Sequence, residues 1–447
     1  MAIIFLAPKI SYICADTKLP TCPCSNPVYD RSIFKNTMIM EWNLICDKKF
    51  HHSWTQTMFQ FGTLVGSIIF GMASDRFGRK KPLSVAVVIQ VLCGYIAAFI
   101  NDFYLFTFFR FLIGTSVGGT MVITFVIVME FVGVQYRDVI SALYQVPFAL
   151  GYLLLPGIAY FTRDYIHFQL AIAVPTTILL CYICLAPETP RWLIAMKKTD
   201  KAIKLLEHVA KINHRQTERI RADVDAYQAE VEKHNLKKGT LIDLFRTPNL
   251  RKNILTMSLD WFSCSYCFYG VSQYVGQLSG DVFLNVACSA FVALLGTLAS
   301  IPMLKLFGRR TIVIIFNFVC AVCLFILAMI PEGVGSLVCA SVGVVSGLIV
   351  FVVVYLYCTE LFPTVVRNAA LGFSSMMARV GAMIAPFVVE LQDIASWVPP
   401  IVFGVVPLVA GCVTFLLPET KGCQLSTTLE EGEAFGKKIT QQPAPDI

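Results

Sequence analysis

Two ionisable residues of this 447-residue chain interrupt long apolar runs, and any chemistry is to be sought there first. Arg379 lies within GFSSMMARVGAMIAPFV, well inside an otherwise almost wholly apolar segment. An unpaired cation in such a place is costly, so it must face a cavity, a partner acid or backbone carbonyls. Facing a cavity, a guanidinium presents a planar fork of donors that matches a carboxylate. Asp260, just before Trp261 in LTMSLDWFS, is the corresponding acid. It can pair with Arg379, bind a cationic group, carry a coupling proton or lie nearer the membrane interface. An arginine and an acid together would satisfy a zwitterion. Arg110, in RFLIG, is a further intramembrane arginine that fits a structural or gating role. Enzyme chemistry has no foothold: there is no HExxH, no GxSxG, no nucleotide loop and no cluster of acids within the apolar runs. The chain is read as a non-enzyme that calls for no cofactor and no metal.

A second set of charges repeats. Gly78, Arg79 and Lys80 close GMASDRFGRK, and Gly308, Arg309 and Arg310 close LKLFGRR 230 positions later. Glu130 precedes Arg137 by seven residues, and Glu360 precedes Arg367 by seven, at the same offset. PET recurs at 187–189 and 418–420, which carries Glu188 onto Glu419. Three motif pairs in one register mark two similar halves in parallel orientation. Two six-helix halves related by an axis along the membrane normal are the arrangement of major facilitator transporters, with the substrate site between them at mid-membrane. In that frame Asp75, Arg76, Arg79, Glu130 and Arg137, with Arg309, Glu360 and Arg367, form a charge network that can latch the halves together. The simpler alternative is that GRK and GRR only anchor helix ends.

The elements that must position these residues follow from composition. The chain is 56% apolar and 15% charged, with a mean hydropathy of +0.68. Soluble proteins carry roughly 25% charge, so these values exclude a soluble enzyme, a coiled coil and a disordered chain. Windows of about 20 residues, the length that crosses the hydrocarbon core, select apolar spans at 54–74, 82–101, 104–131, 141–161, 166–186, 253–273, 281–304, 311–330, 334–358, 369–390 and 397–417. Residues 1–15 are apolar but short, and read as a stub of a twelfth helix or a weak signal peptide. The deficit relative to the repeat falls there.

The division expected is an N-terminal half over 1–187, a linker over 188–252, a C-terminal half over 253–418 and a tail over 419–447. Two amphipathic helices are expected in the linker, the first carrying Ile203, Leu206, Val209 and Ile212 at helical spacing. Most of the 36 Lys and Arg fall on the linker side, which the positive-inside rule makes cytoplasmic, with the tail beside it. The net charge of +7 is thus a topology signal helped by anionic lipid, and nucleic acid is not needed to explain it. Cys14, Cys22, Cys24 and Cys46 stand in the first outer loop, where oxidation is permitted and three pairings are open. His51 and His52 follow at the outer membrane boundary, as an interfacial loop pair or a pH sensor.

At these residues the sequence resembles a specific family. GMASDRFGRK is similar to the major facilitator signature, while PETPRWL, YCTELFPTVVRNAALGFSSMMARVG and LPETKG resemble the organic ion transporters of solute carrier family 22. EWNLIC and WFSCSYCFYG strengthen the match, which covers roughly 30–425. The resemblance implies an all-α membrane protein of twelve helices with cytoplasmic termini. It also implies movement of small organic ions across the plasma membrane by alternating access, coupled to an ion or to exchange. The expected form has helix 1 truncated and a short first outer loop without an N-glycosylation sequon. Arg379 stands where anion and carnitine-type members carry Arg and cation members an acid, so an anionic or zwitterionic substrate is expected. Thr297 stands where typical anion members have Lys, which weakens a dianion reading. Phe268, Tyr269, Phe351 and Tyr355 align with cavity positions, with Tyr160 a weaker candidate, and aromatic faces there can hold ammonium groups. Glu188, Arg191 and Glu419 belong to the motifs at the cytoplasmic helix ends. The other readings are an organic cation transporter and a non-transporting relative that senses or binds a partner.

Overall fold

A computed structural model describes all residues except 16–21, 25, 134–135, 234–240, 424–425, 427 and 437–447, with backbone alone at 137–138, 142 and 229–233. It is almost entirely helical. One turn, α1 (Ile3–Leu6), precedes α2 (His51–Phe77), α3 (Lys80–Ala98), α4 (Phe103–Phe131), α5 (Val146–Thr162) and α6 (Tyr165–Thr176). Helical turns carry α6 onward to Leu185. Then come α7 (Pro248–Val275), α8 (Val282–Leu306), α9 (Arg309–Met329), α10 (Val334–Leu361), α11 (Arg367–Val389) and α12 (Val398–Thr414). The eleven long helices α2–α12 coincide with the eleven apolar runs.

Among the described residues nine helices are long and apolar enough to cross a membrane. Helix α12 has only 17 residues, and α7 carries too many polar side chains to be among the nine. That polarity is tolerated because α7 packs along α10, α11 and α12, so Asn253, Asp260 and Ser263 are all shielded from lipid. In the first half, Gly62 and Gly66 on α2 face Gly114 and Gly118 on α4. A Cβ at any of the four would run into the backbone carbonyl opposite. These paired small-xxx-small stripes draw the two helices together.

The first turn, α1, is a buried wedge. Phe5 of α1 stacks on Phe283 of α8 at 5.8 Å and meets Phe168 of α6 edge-on at 5.8 Å, so this single turn touches both halves. The loop after it pairs Tyr12–Cys14 antiparallel with Pro27–Tyr29. Disulfides join Cys14 to Cys24 and Cys22 to Cys46. The linker helices run over Thr199–Ile212 and Ile220–Lys233; Ile203 is buried but Ile212 is exposed, so the apolar stripe is only partly covered. Below, the two faces are called the disulfide side and the linker side.

Candidate functional site

Arg379 is buried, with 5% exposure, and lines a narrow pocket between the two halves. Gly381 lets α11 approach α7 closely there, because a Cβ at that residue would meet the Phe262 carbonyl oxygen. Phe268, Tyr269 and Ser265 of α7 and Phe351 of α10 share the lining with Arg379. The first half contributes Met121, Gln145 and Phe148. Among the described residues no carboxylate pairs with Arg379, and its buried Nε has no hydrogen-bond partner. A guanidinium so placed keeps donors available to an anion, and in this closed arrangement the space beside it holds little more than a water.

Aromatic contacts knit the halves around this cavity. Phe148 of α5 lies 5.7 Å from Phe268, Tyr152 lies 6.1 Å from Phe268, and Phe125 of α4 lies 5.7 Å from Tyr355. Tyr355 is one layer back from the lining, packed on Phe351 at 5.3 Å and on Trp261 at 4.4 Å. Met121, Gln145, Phe148, Tyr152 and Ser265 were not singled out from sequence. Apolar and small polar residues on helices give no local signal of which face is a cavity wall.

Two expected binding residues are placed elsewhere, and both are corrections. Asp260 is fully buried inside the second half, away from the cavity lining and without an ion pair to Arg379. It accepts a hydrogen bond from Asn317 Nδ2 of α9 at 3.1 Å and contacts Thr414 Oγ1 of α12 at 2.8 and 3.0 Å. The reason is rotational: Asp260 projects from α7 toward α9 and α12, whereas Ser265, Phe268 and Tyr269 line the cavity. Tyr160 sits at the disulfide-side end of α5, half exposed, under the Arg163 guanidinium at 4.8 Å and against Phe283. Thr297 is fully buried and spends its hydroxyl on the Ala293 carbonyl. Arg110 donates to Gln56 Oε1 at 3.1 Å and lies 5.2 Å above the Phe59 ring, a contact internal to the first half.

The repeated motifs build two copies of one device on the linker side. In the first half Arg79 pairs with Asp75 Oδ1 at 2.7 Å and with Glu130 Oε1 at 3.0 Å, and its backbone N–H donates to Glu188 Oε1 at 2.6 Å. In the second, Arg309 pairs with Glu360 Oε1 at 3.0 Å, and its backbone N–H donates to Glu419 Oε1 at 2.7 Å. The PET glutamates therefore cap the N-termini of α3 and α9, where orphan N–H groups favour an anion. The preceding glycines are required by that cap: a Cβ on Gly78 or Gly308 would strike the carboxylate of Glu188 or Glu419. Burial works against the Arg79 charge, but its bonds to Glu130 and Asp75 outweigh it and raise its pKa above the ordinary arginine value. Each of these described contacts joins residues of one half and braces a turn. Arg76 is exposed over the Phe77 ring, Arg191 is exposed, and Arg367 donates to the Phe362 carbonyl. The side chain of Arg137 lies outside the described residues.

Among the described residues, ionic contacts join the halves on the disulfide side. His52 Nε2, in the first turn of α2 and not in a loop, is 2.8 Å from Glu390 Oε1 at the end of α11, and both residues are buried. Ser53 Oγ donates to the same Glu390 oxygen at 3.2 Å, and Thr57 Oγ1 donates to the Met383 carbonyl at 2.9 Å. Lys49 reaches Glu390 at 3.8 Å and also pairs with Asp393. Glu390 went unnoticed in the sequence because an acid at a helix end ordinarily reads as an interfacial residue.

Comparison with known proteins agrees with this geometry. Residues 25–431 match the family described as sugar (and other) transporter. An organic cation transporter protein of Drosophila melanogaster is 35% identical over 438 residues, covering 95% of this chain and 78% of that one. Solute carrier family 22 member 12 of Mus musculus is 32% identical over 434 residues, again covering 95% and 78%. The inward-open xylose transporter XylE of E. coli superposes with a TM-score of 0.69 at 20% identity, over 87% of this chain and 90% of that one. That likeness shows the fold.

Proposed function

Because the chain belongs to the solute carrier 22 branch of the sugar (and other) transporter family, and is therefore a multi-pass membrane transporter and not an enzyme, we propose that it carries small anionic or zwitterionic organic ions of carnitine-like character. Arg379 carries the reading. It is a buried guanidinium with unused donors, facing a cavity walled by Phe268, Tyr269 and Phe351. Arg379 binds the carboxylate as a planar fork, while the aromatic faces receive an ammonium group or an apolar tail. Met121, Gln145 and Phe148 close the site from the first half. The linker side faces the cytoplasm of the plasma membrane, as the basic residues indicate. The substrate enters when the His52–Glu390 contact opens and leaves when the linker-side ends separate.

The test is uptake of labelled carboxylates, quaternary amines and zwitterions into proteoliposomes. Loss of a charge-assisted hydrogen bond is worth about 1.5–3 kcal/mol, so Arg379→Ala is expected to lower uptake of carboxylate-bearing members about 10- to 100-fold. Arg379→Asp is expected to shift preference toward cations. Unchanged selectivity in Arg379→Asp removes Arg379 from the site. Preferential uptake of quaternary amines by the wild type favours the cation reading, in keeping with the name of the Drosophila relative. No uptake of any class favours a sensing or partner-binding role.

A further inference from the structure

The acid that the cavity does not use has a chemistry of its own. Asp260 is fully buried, and its nearest polar neighbours are neutral: Asn317 on α9 and Thr414 on α12. Cys264 adjoins it on α7 and Tyr357 faces it from α10. On α11 Arg379 points to the cavity. No Lys, Arg or His among the described residues forms an ion pair with Asp260. A bare carboxylate in such surroundings is expensive.

The contacts around it leave one hydroxyl hydrogen to serve more than one acceptor. Thr414 Oγ1 lies 2.7 Å from the Ala410 carbonyl oxygen and 2.8 and 3.0 Å from the two Asp260 oxygens. A hydroxyl has one hydrogen. If it donates to Ala410, nothing but a proton on Asp260 turns the second contact into a hydrogen bond. If it donates to Asp260, its oxygen is pressed against the Ala410 carbonyl with no proton between them. Asn317 donates one N–H to Asp260 Oδ1, and Ser263 donates to the Asn317 Oδ1 at 3.4 Å, so neither supplies a hydrogen to the Thr414 contact. The arrangement that gives each contact a hydrogen of its own is Asp260 Oδ2–H to Thr414 Oγ1, and Thr414 O–H to the Ala410 carbonyl.

A second unmet polar group lies toward the linker side on the same helix. Asn253 stands seven residues, two turns or about 10.5 Å, toward the linker from Asp260. It is fully buried, and neither its Nδ2 nor its Oδ1 has a partner. An unpartnered amide in the interior is a seat for ordered water. From these observations we propose that Asp260 is a proton-binding site of the second half, holding its proton against Thr414 and exchanging it with the linker side past Asn253. The inference does not depend on which organic ion is carried.

Infrared spectroscopy of the full chain in lipid at neutral pH tests it without any substrate. The difference between wild type and Asp260→Asn, which keeps the shape and the bonds to Asn317 and Thr414, is expected to contain a protonated-carboxyl band that shifts in heavy water. Asp260→Glu is expected to move that band without abolishing it, which guards against a misfolded Asn variant. Asn253→Leu, which removes an unpartnered amide and so should not destabilise the protein, is expected to slow deuteration of the band about tenfold by closing a hydrated path. A difference spectrum with an ionised-carboxylate band and no protonated one overturns the proposal. Thermal stabilisation by sodium but not choline chloride would then mark the cluster as a metal-cation site. Equal deuteration rates in wild type and Asn253→Leu overturn the route.

Discussion

The two faces of the molecule use charge in opposite ways. On the linker side, Arg79 with Glu130 and Arg309 with Glu360 are related by the internal repeat, and each pair stays within its own half. On the disulfide side, His52 and Glu390 belong to different halves and have no counterparts: Val282 and Tyr160 occupy the positions 230 residues away. A repeated motif serves what each half needs for itself, here the bracing of a sharp turn between two helices. A contact between the halves need not follow the repeat, because the two faces that meet are different surfaces. Among the described contacts, the repeated pairs brace a half and the unrepeated pair lies at the seam between the halves.

The largest effect should come from breaking the braced side. Arg309→Ala removes the guanidinium that pairs with Glu360 at 3.0 Å. Removing one member of a buried pair costs about 3–5 kcal/mol, so poor yield of monodisperse protein and a clearly lowered melting temperature are expected. Survival with an unchanged melting temperature would deny the pair a bracing role.

The glycines come next, and they should differ. Gly78 has φ of +95° whereas Gly308 has φ of −71°. Alanine at either must push back the capping glutamate, but only at 78 does it also meet backbone strain of about 1–3 kcal/mol. Gly78→Ala is therefore expected to lower thermal stability more than Gly308→Ala. Equal losses would mean that the cap alone matters.

The seam should respond more gently and locally. Glu390→Gln weakens a cross-half contact worth about 1–2 kcal/mol, so hydrogen exchange in the first turn of α2 and the last of α11 is expected to quicken about 5- to 30-fold. Exchange that stays unchanged there would show that apolar packing alone holds this side shut. The smallest effect is expected from Lys49→Ala. Lys49 and Asp393 are both substantially exposed, and such pairs contribute under about 1 kcal/mol, so exchange on the disulfide side should change less than about fivefold.

Much of this was readable from the residues. The helices follow from runs of apolar side chains, and their ends from the charges and glycines that cannot enter lipid. The turn motifs were readable as a repeat, although that the PET glutamates cap α3 and α9 was not, since the chain separates cap from helix by more than a hundred residues. Phe268, Tyr269, Phe351 and Arg379 were identified and share one cavity, while Gln145 and Phe148 were missed. Asp260 shows the limit most plainly. A buried acid could be recognised from its apolar neighbours, but not which side of α7 it occupies.

Sequence by itself determined what belongs in the membrane, that the chain is a repeat, and which charges must be sheltered, because those depend on hydropathy and spacing along the chain. Tertiary structure alone decided which shelter each charge found: Arg379 the cavity, Asp260 the interior of one half, Glu390 the seam between both. The physical reason is that burial is imposed by composition, whereas a partner is supplied by whichever helix packs against the exposed face.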